Sequence, residues 1–158
     1  MKIRLVVALV GFAIGFAFPT FAQEQNAVDP KTRQEIDAVS MQYGEAFNKH
    51  DAAAVAALYT QDAVRVADWS GGESSVGREA IKTAFEVQFA GMSPRVVGKS
   101  ITQMYAIDDR IAAISEFSQG FVHGHTVKIY VRDADTWKIR MEFTTARRWE
   151  SILPKKEQ

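Results

Sequence analysis

Apolar residues at Ile36, Val39, Tyr43, Ala46 and Phe47 recur at helical spacing and form one stripe. Asp29 followed by Pro30 offers a capping carboxylate and a residue suited to the first helical turn, so the pattern predicts a helix from Pro30 onward. Asn48-Lys49-His50 interrupts the stripe, and Asp51 is placed to cap a second short helix through Val55, Leu58 and Tyr59. A short strand, Val64 to Ala67, should follow. The stretch "DWSGGESSVGREAI" opens as a Gly/Ser loop without periodicity. It runs into a third helix, Arg78 to Ala90, with Ile81, Ala84, Phe85 and Phe89 on one side and Gly91 and Pro94 ending it. Beyond that point the period changes to two. Strands are expected over Val96 to Ile107, Ile111 to Phe121, His125 to Arg132 and Trp137 to Arg148. Asp108-Asp109, His123-Gly124 and Asp133-Ala134-Asp135 read as the turns between them.

Helices first and a meander of strands afterwards is an α+β pattern. Three N-terminal helices packed on a curved antiparallel sheet would enclose a conical barrel with a cavity. Strand parity then assigns faces. His125 shares its parity with Val127, Ile129 and Val131, so it is expected to point toward the core or cavity. Trp137, Ile139, Met141 and Phe143 form one face of the last strand and read as core or pocket wall; Lys138, Arg140, Glu142 and Thr144 form the other.

The first residues have a different character. Lys2 and Arg4 precede an almost wholly apolar run, Leu5 to Phe18, which Pro19 breaks, and Thr20-Phe21-Ala22 presents small residues at a cleavage site. That is the layout of a secretory signal peptide, 1–22, and predicts a periplasmic or secreted protein. Residues 23–29 are a polar lead-in, 30–149 the folded domain, and 150–158 a tail. Cleavage leaves 136 residues, enough for one domain with a proper core, and 17 basic against 19 acidic side chains. That balance gives no basic face for nucleic acid, and no membrane association is expected once the leader is removed. With no cysteine, disulfides and a cysteine-linked lipid anchor are excluded.

The segments "AFNKHDAAAVAALYTQDAV", "VGREAI" and "YVRDADTWKIRME" resemble the SnoaL-like and ketosteroid-isomerase-like branch of the nuclear transport factor 2-like superfamily, over essentially Pro30 to Trp149. The resemblance implies a conical α+β barrel with a deep apolar pocket and no cofactor, in most members a homodimer through the open sheet face. It specifies fold better than function, because the superfamily holds isomerases, cyclases, hydratases and non-catalytic association domains.

Ketosteroid isomerase works with an Asp base and an oxyanion hole made by a Tyr and a protonated Asp. The resemblance places Tyr43 on that tyrosine. Tyr43 also lies on the apolar stripe, where aromatic side chains usually pack, so filling the core accounts for it without any catalytic role. The family's base position falls on Ala67, with Asp68 one residue later, and a one-residue offset in a strand reverses the face. The third group has no counterpart: its place holds Thr126, Val127 and Lys128. The complete isomerase set is therefore absent. The candidate catalytic residues are Tyr43 as hydrogen-bond donor to a ligand oxygen, with Asp68 or His125 moving the proton. Phe47, Trp69, Phe85, Met104, Met141 and Phe143 are candidates for contact with a small apolar carbonyl compound. Two alternatives stay open: a binding or association module without turnover, and a metal enzyme built on His123 and His125. The latter pair lacks an apparent third ligand, so no metal is assigned.

Overall fold

The computed structural model describes residues 27–68, 72–91, 98–119 and 122–148. Helix α1, Pro30–Asn48, starts where Asp29 accepts a hydrogen bond from the Thr32 amide, and buries Ile36, Tyr43, Ala46 and Phe47. His50 adopts a left-handed φ of 56° in the turn that follows, and Asp51 caps α2, Ala52–Ala56, by accepting from the Ala54 amide. Strand β1, Tyr59–Ala67, begins five residues earlier than the apolar pattern indicates: the chain leaves the helix at Ala57, so Tyr59 starts a strand. Part of the expected Gly/Ser loop is a short edge strand, β2, Glu73–Val76, paired antiparallel to β1. Helix α3, Arg78–Ala90, follows, and then β3, Gly98–Ile107; β4, Arg110–Gln119; β5, Val122–Asp133; and β6, Thr136–Arg148.

The six strands form one sheet in the order β2-β1-β6-β5-β4-β3. The sheet is mixed, not wholly antiparallel, because β1 runs parallel to its neighbour β6. The chain reaches β6 only after the β3–β4–β5 meander, and returns beside β1 in the same direction. The sheet does not close; helices cover its inner face, α1 against β3 and β6 and α3 against β1 and β2. Trp137 Nε1 donates to Glu35 at 2.9 Å, and Arg132 pairs with the same carboxylate, which ties α1 to the β5–β6 hairpin.

Two departures from the sequence expectation decide which side chains face inward. First, β5 runs unbroken through His123-Gly124-His125, with His123 opposite Arg147 and His125 opposite Thr145. The expected turn there is absent. Gly124 is needed for a close approach rather than for a turn: a Cβ on it would meet the Thr145 carbonyl oxygen at 1.9 Å and the Phe117 ring at 2.9 Å. Second, β6 carries a bulge. Tyr130 pairs with Ile139 but Ile129 pairs with Met141, so Arg140 is an extra residue in the ladder. Trp137 and Ile139 are buried before it, and Glu142 and Thr144 are buried after it. Met141 and Phe143, 47% and 43% exposed, turn outward, contrary to their expected place in the pocket wall.

Candidate functional site

The inner face of the sheet carries a polar belt across four strands. Arg65 on β1 lies directly opposite Glu142 on β6, and Glu142 lies opposite Lys128 on β5. One step along, Thr144 on β6 is opposite Thr126, which is opposite Ser115 on β4. All six side chains are buried. Cross-strand pairing alone therefore gathers two cations around one carboxylate, with three hydroxyls beside them.

Glu142 is the centre of the belt and is fully buried. Tyr59 donates to its Oε2 at 2.7 Å, and Tyr43 reaches Oε1 at 3.5 Å from α1. Thr144 donates to Oε1 at 3.2 Å and also shares a 3.1 Å hydrogen bond with Thr126. Arg65 Nε and Lys128 Nζ each stand 3.5 Å from the carboxylate, on opposite oxygens. Arg65 extends further to Gln88 Oε1 on α3, at 2.9 Å, with its guanidinium 4.3 Å from the centroid of the Phe85 ring. Lys128 Nζ sits 3.2 Å from the centroid of the Tyr43 ring. Such cation–π contacts are strongest where both groups are desolvated. Tyr43, Phe47, Phe85 and Phe89 stack or meet edge-on above the belt and Tyr59 meets Tyr43 and Phe85 at a tilt, with centroids 5.1 to 6.5 Å apart.

Burial, reinforced by the neighbouring Glu142 carboxylate, pushes the hydroxyls of Tyr43, Tyr59 and Tyr130 above their ordinary value of 10.0. For Arg65 burial is the largest single influence and works the other way, but Glu142, Tyr43 and Tyr59 together outweigh it and the net displacement is upward. The three tyrosines give a prediction for alkaline solution. Their folded values are raised, so the unfolded chain loses protons first, and stability falls as pH climbs past 10.0. Urea midpoints measured between pH 8 and 11 should be flat up to about 10 and then drop. Tyr59→Phe should drop less steeply; an equal slope in the variant would remove Tyr59 from the account.

The sequence candidates fare unequally. Tyr43 is in the belt's roof, touching Glu142. Phe47, Phe85 and Met104 are buried in the core. Asp68 is exposed just past the end of β1, while Ala67 takes the inward position, so no carboxylate enters the belt from that strand. His125 is exposed on the outer face: β5 turns Gly124, Thr126, Lys128 and Tyr130 inward, and its apolar parity set outward. Trp69 lies outside the described residues. Among the described residues, no group of three or more His, Cys, Asp or Glu is placed to hold a metal ion. Arg65, Lys128 and Glu142 were not singled out from sequence. Their signal was the polar alternation in "AVRVA", "HTVKIYV" and "KIRMEFT", which reads as a solvent face when only one side of a sheet is assumed to be covered.

Helices on the inner face of an open six-stranded mixed sheet, with a buried polar belt beneath an aromatic roof, define an α+β protein. Residues 41–148 match the family of the SnoaL-like domain, and the chain belongs to that family. Solved structures agree on the fold. A ketosteroid isomerase-like protein from Erwinia carotovora atroseptica aligns at 20% identity and TM-score 0.64, over 75% of this chain and 98% of that one. A domain of unknown function with a cystatin-like fold from Nostoc punctiforme aligns at 12% identity and TM-score 0.67, over 79% and 83%. A putative calcium/calmodulin dependent protein kinase II association domain from Xanthomonas campestris aligns at 20% identity and TM-score 0.60, over 77% and 94%. Comparison with curated proteins gives no match.

Proposed function

We propose that this SnoaL-like domain binds a small organic molecule at the inner face of the sheet. The aromatic roof, which rests directly on the polar belt in this structure, moves aside to admit it. The observation that carries the reading is the belt itself. Burying two cations and a carboxylate costs several kcal/mol per ion before their attraction is counted, and an apolar core would serve stability as well or better. A belt of this kind is best understood as a recognition surface. The ligand then needs an apolar ring-sized body for the roof and oxygen atoms for the belt. Thermal unfolding against a panel of aromatic carbonyl compounds, steroids and fatty acids tests this. One class should raise the midpoint by several degrees, and Tyr43→Phe should diminish the shift. No shift with any class contradicts the reading.

A second reading, acid/base turnover, is favoured by one contact: Tyr43 and a carboxylate do converge, at 3.5 Å, but the carboxylate is Glu142. Against it, Glu142 is already engaged by Tyr59, Thr144 and two cations.

The outward sheet face supports a homodimer. Met141, Phe143, Tyr105 and Ile107 are all exposed large apolar residues, and β5 adds Val127, Ile129 and Val131. A groove of about 690 Å³ on this face has Val64, Ile129, Val131 and Met141 among its walls and the Asp62–Arg140 ion pair beside them. Light scattering should give twice the chain mass, and Phe143→Glu should reduce it to one. The export reading rests on the N-terminal pattern, and mass spectrometry of the secreted or periplasmic protein should find Gln23 as its first residue.

A further inference from the structure

We infer that His50 is the latch of the aromatic roof: its ring, stacked on Phe89, holds the last turn of α3 down on Phe47 and Phe85. Release of that turn opens the inner face of the sheet. The inference rests on the small-molecule reading above and concerns access to the same site. The first support is the backbone at His50. Helix α1 ends in a Schellman motif, with the His50 amide donating to the Phe47 carbonyl and the Asp51 amide to the Ala46 carbonyl. His50 holds the left-handed position, φ 56°, which glycine occupies without strain and asparagine tolerates. The turn itself gains nothing from a histidine there. What the histidine adds is a half-buried ring, within 10° of parallel to Phe89 and with centroids 5.0 Å apart.

The second support is that the two halves of the roof are unequally fastened. Tyr43 and Phe47 belong to α1, which Glu35 clasps to Arg132 and Trp137 of the β5–β6 hairpin. Phe85 and Phe89 belong to α3, which is fastened at its start. There the Gly77 amide donates to the Ala63 carbonyl at 2.8 Å, and the Arg78 guanidinium donates twice to the Tyr59 carbonyl. The last turn is tied to the sheet by Gln88, which accepts from Arg65, and rests on rings: Phe89 is edge-on to Phe47 at 5.1 Å and stacked on Phe85 at 5.6 Å. Because α2 packs along α3, it is this turn that lifts and not the whole helix. Local openings draw on the least fastened segments of a fold. The third support is what the movement uncovers. Phe89 leaves Phe47 and Phe85, and Gln88 leaves the Arg65 guanidinium, which keeps Glu142 at its Nε. One latch therefore governs both the space above the belt and a hydrogen-bonding position on it.

Amide hydrogen exchange of the purified protein, with and without His50→Asn, tests the latch without any ligand. Asparagine keeps the left-handed turn and removes the ring. The amides of Gln88, Phe89 and Ala90 should exchange up to about tenfold faster in the variant, the range that an aromatic pair contributes. Those of Ile36 and Ile81, and the urea midpoint, should stay where they are. Unchanged exchange at Phe89 would overturn the latch, and so would acceleration spread evenly over α1 and α3 with a lower midpoint. Phe89→Leu should free the same turn, and adding His50→Asn to it should bring little more, since both act through one contact; fully additive effects would overturn the latch as well. Stopped-flow fluorescence with 6-acetyl-2-dimethylaminonaphthalene, an aromatic carbonyl compound, then tests access. It should bind faster to His50→Asn by the factor seen in exchange. Equal rates beside accelerated exchange would overturn this turn as the way in and leave the small-molecule reading standing. No binding to either protein, with exchange accelerated, would count against the small-molecule reading and leave the latch in place.

Discussion

Replacing Glu142 with glutamine should lower the unfolding free energy by about 3 to 5 kcal/mol, because it leaves two buried cations without the charge between them. The substitution keeps the size of the side chain and an acceptor for Tyr59, so the loss is one of charge, not of packing. Against a total stability of about 5 to 15 kcal/mol for a domain of this kind, the loss is a large share. Urea denaturation should show a lower midpoint with an unchanged slope. Adding Lys128→Met to Glu142→Gln should recover part of the loss, since the second change removes a stranded cation; the residues touch, so their effects should not add. A Glu142→Gln midpoint within error of the unaltered protein would mean that the ionic belt does not form as described.

Phe85→Ala should cost a similar amount, about 3 to 5 kcal/mol. Phe85 is fully buried on α3 and meets the rings of Tyr43, Phe47, Tyr59 and Phe89. It also carries the Arg65 guanidinium on its face, so truncation opens a cavity and removes one support of that cation together. Phe85→Leu, which fills most of the space but offers no ring face, separates the two contributions. If Phe85→Leu is nearly as costly as Phe85→Ala, the cation contact and ring stacking dominate; if it is mild, cavity formation does.

The order and type of the elements, β2 excepted, were legible because they rest on local signals: the caps at Asp29 and Asp51, the stripes of α1 and α3, and the two-residue period after Gly91. The roof of the site was legible for the same reason, since Tyr43, Phe47 and Phe85 are fixed by helical spacing alone. The belt was not, and the cause lies in two features. Arg140 is an extra residue in β6 that reverses the parity of everything after it, and only the partner strand reveals that, through Tyr130 opposite Ile139 and Ile129 opposite Met141. On β5 the rule that apolar residues face the core fails outright. Val127, Ile129 and Val131 form a tempting inner face, yet Thr126, Lys128 and Tyr130 are the buried set. A sheet with helices on one side and an apolar outer face on the other defeats that rule. These two features placed His125, Met141 and Phe143 on the outer face and brought Glu142 and Lys128 to the inner one. Parallel pairing of β1 with β6, which sets Arg65 opposite Glu142, is a long-range choice that neither strand's own sequence encodes.

The most direct test of the binding account is a methyl-resolved NMR titration with whichever probe binds. Inner methyl groups of Ile36, Ile81, Ile139, Thr126 and Thr144 should shift as the ligand is added, while Val127 and Ile129 on the outer face should stay still. Shifts confined to Val127, Ile129 and their outer neighbours, with the inner set unmoved, would contradict the account and place recognition on the outer face of the sheet.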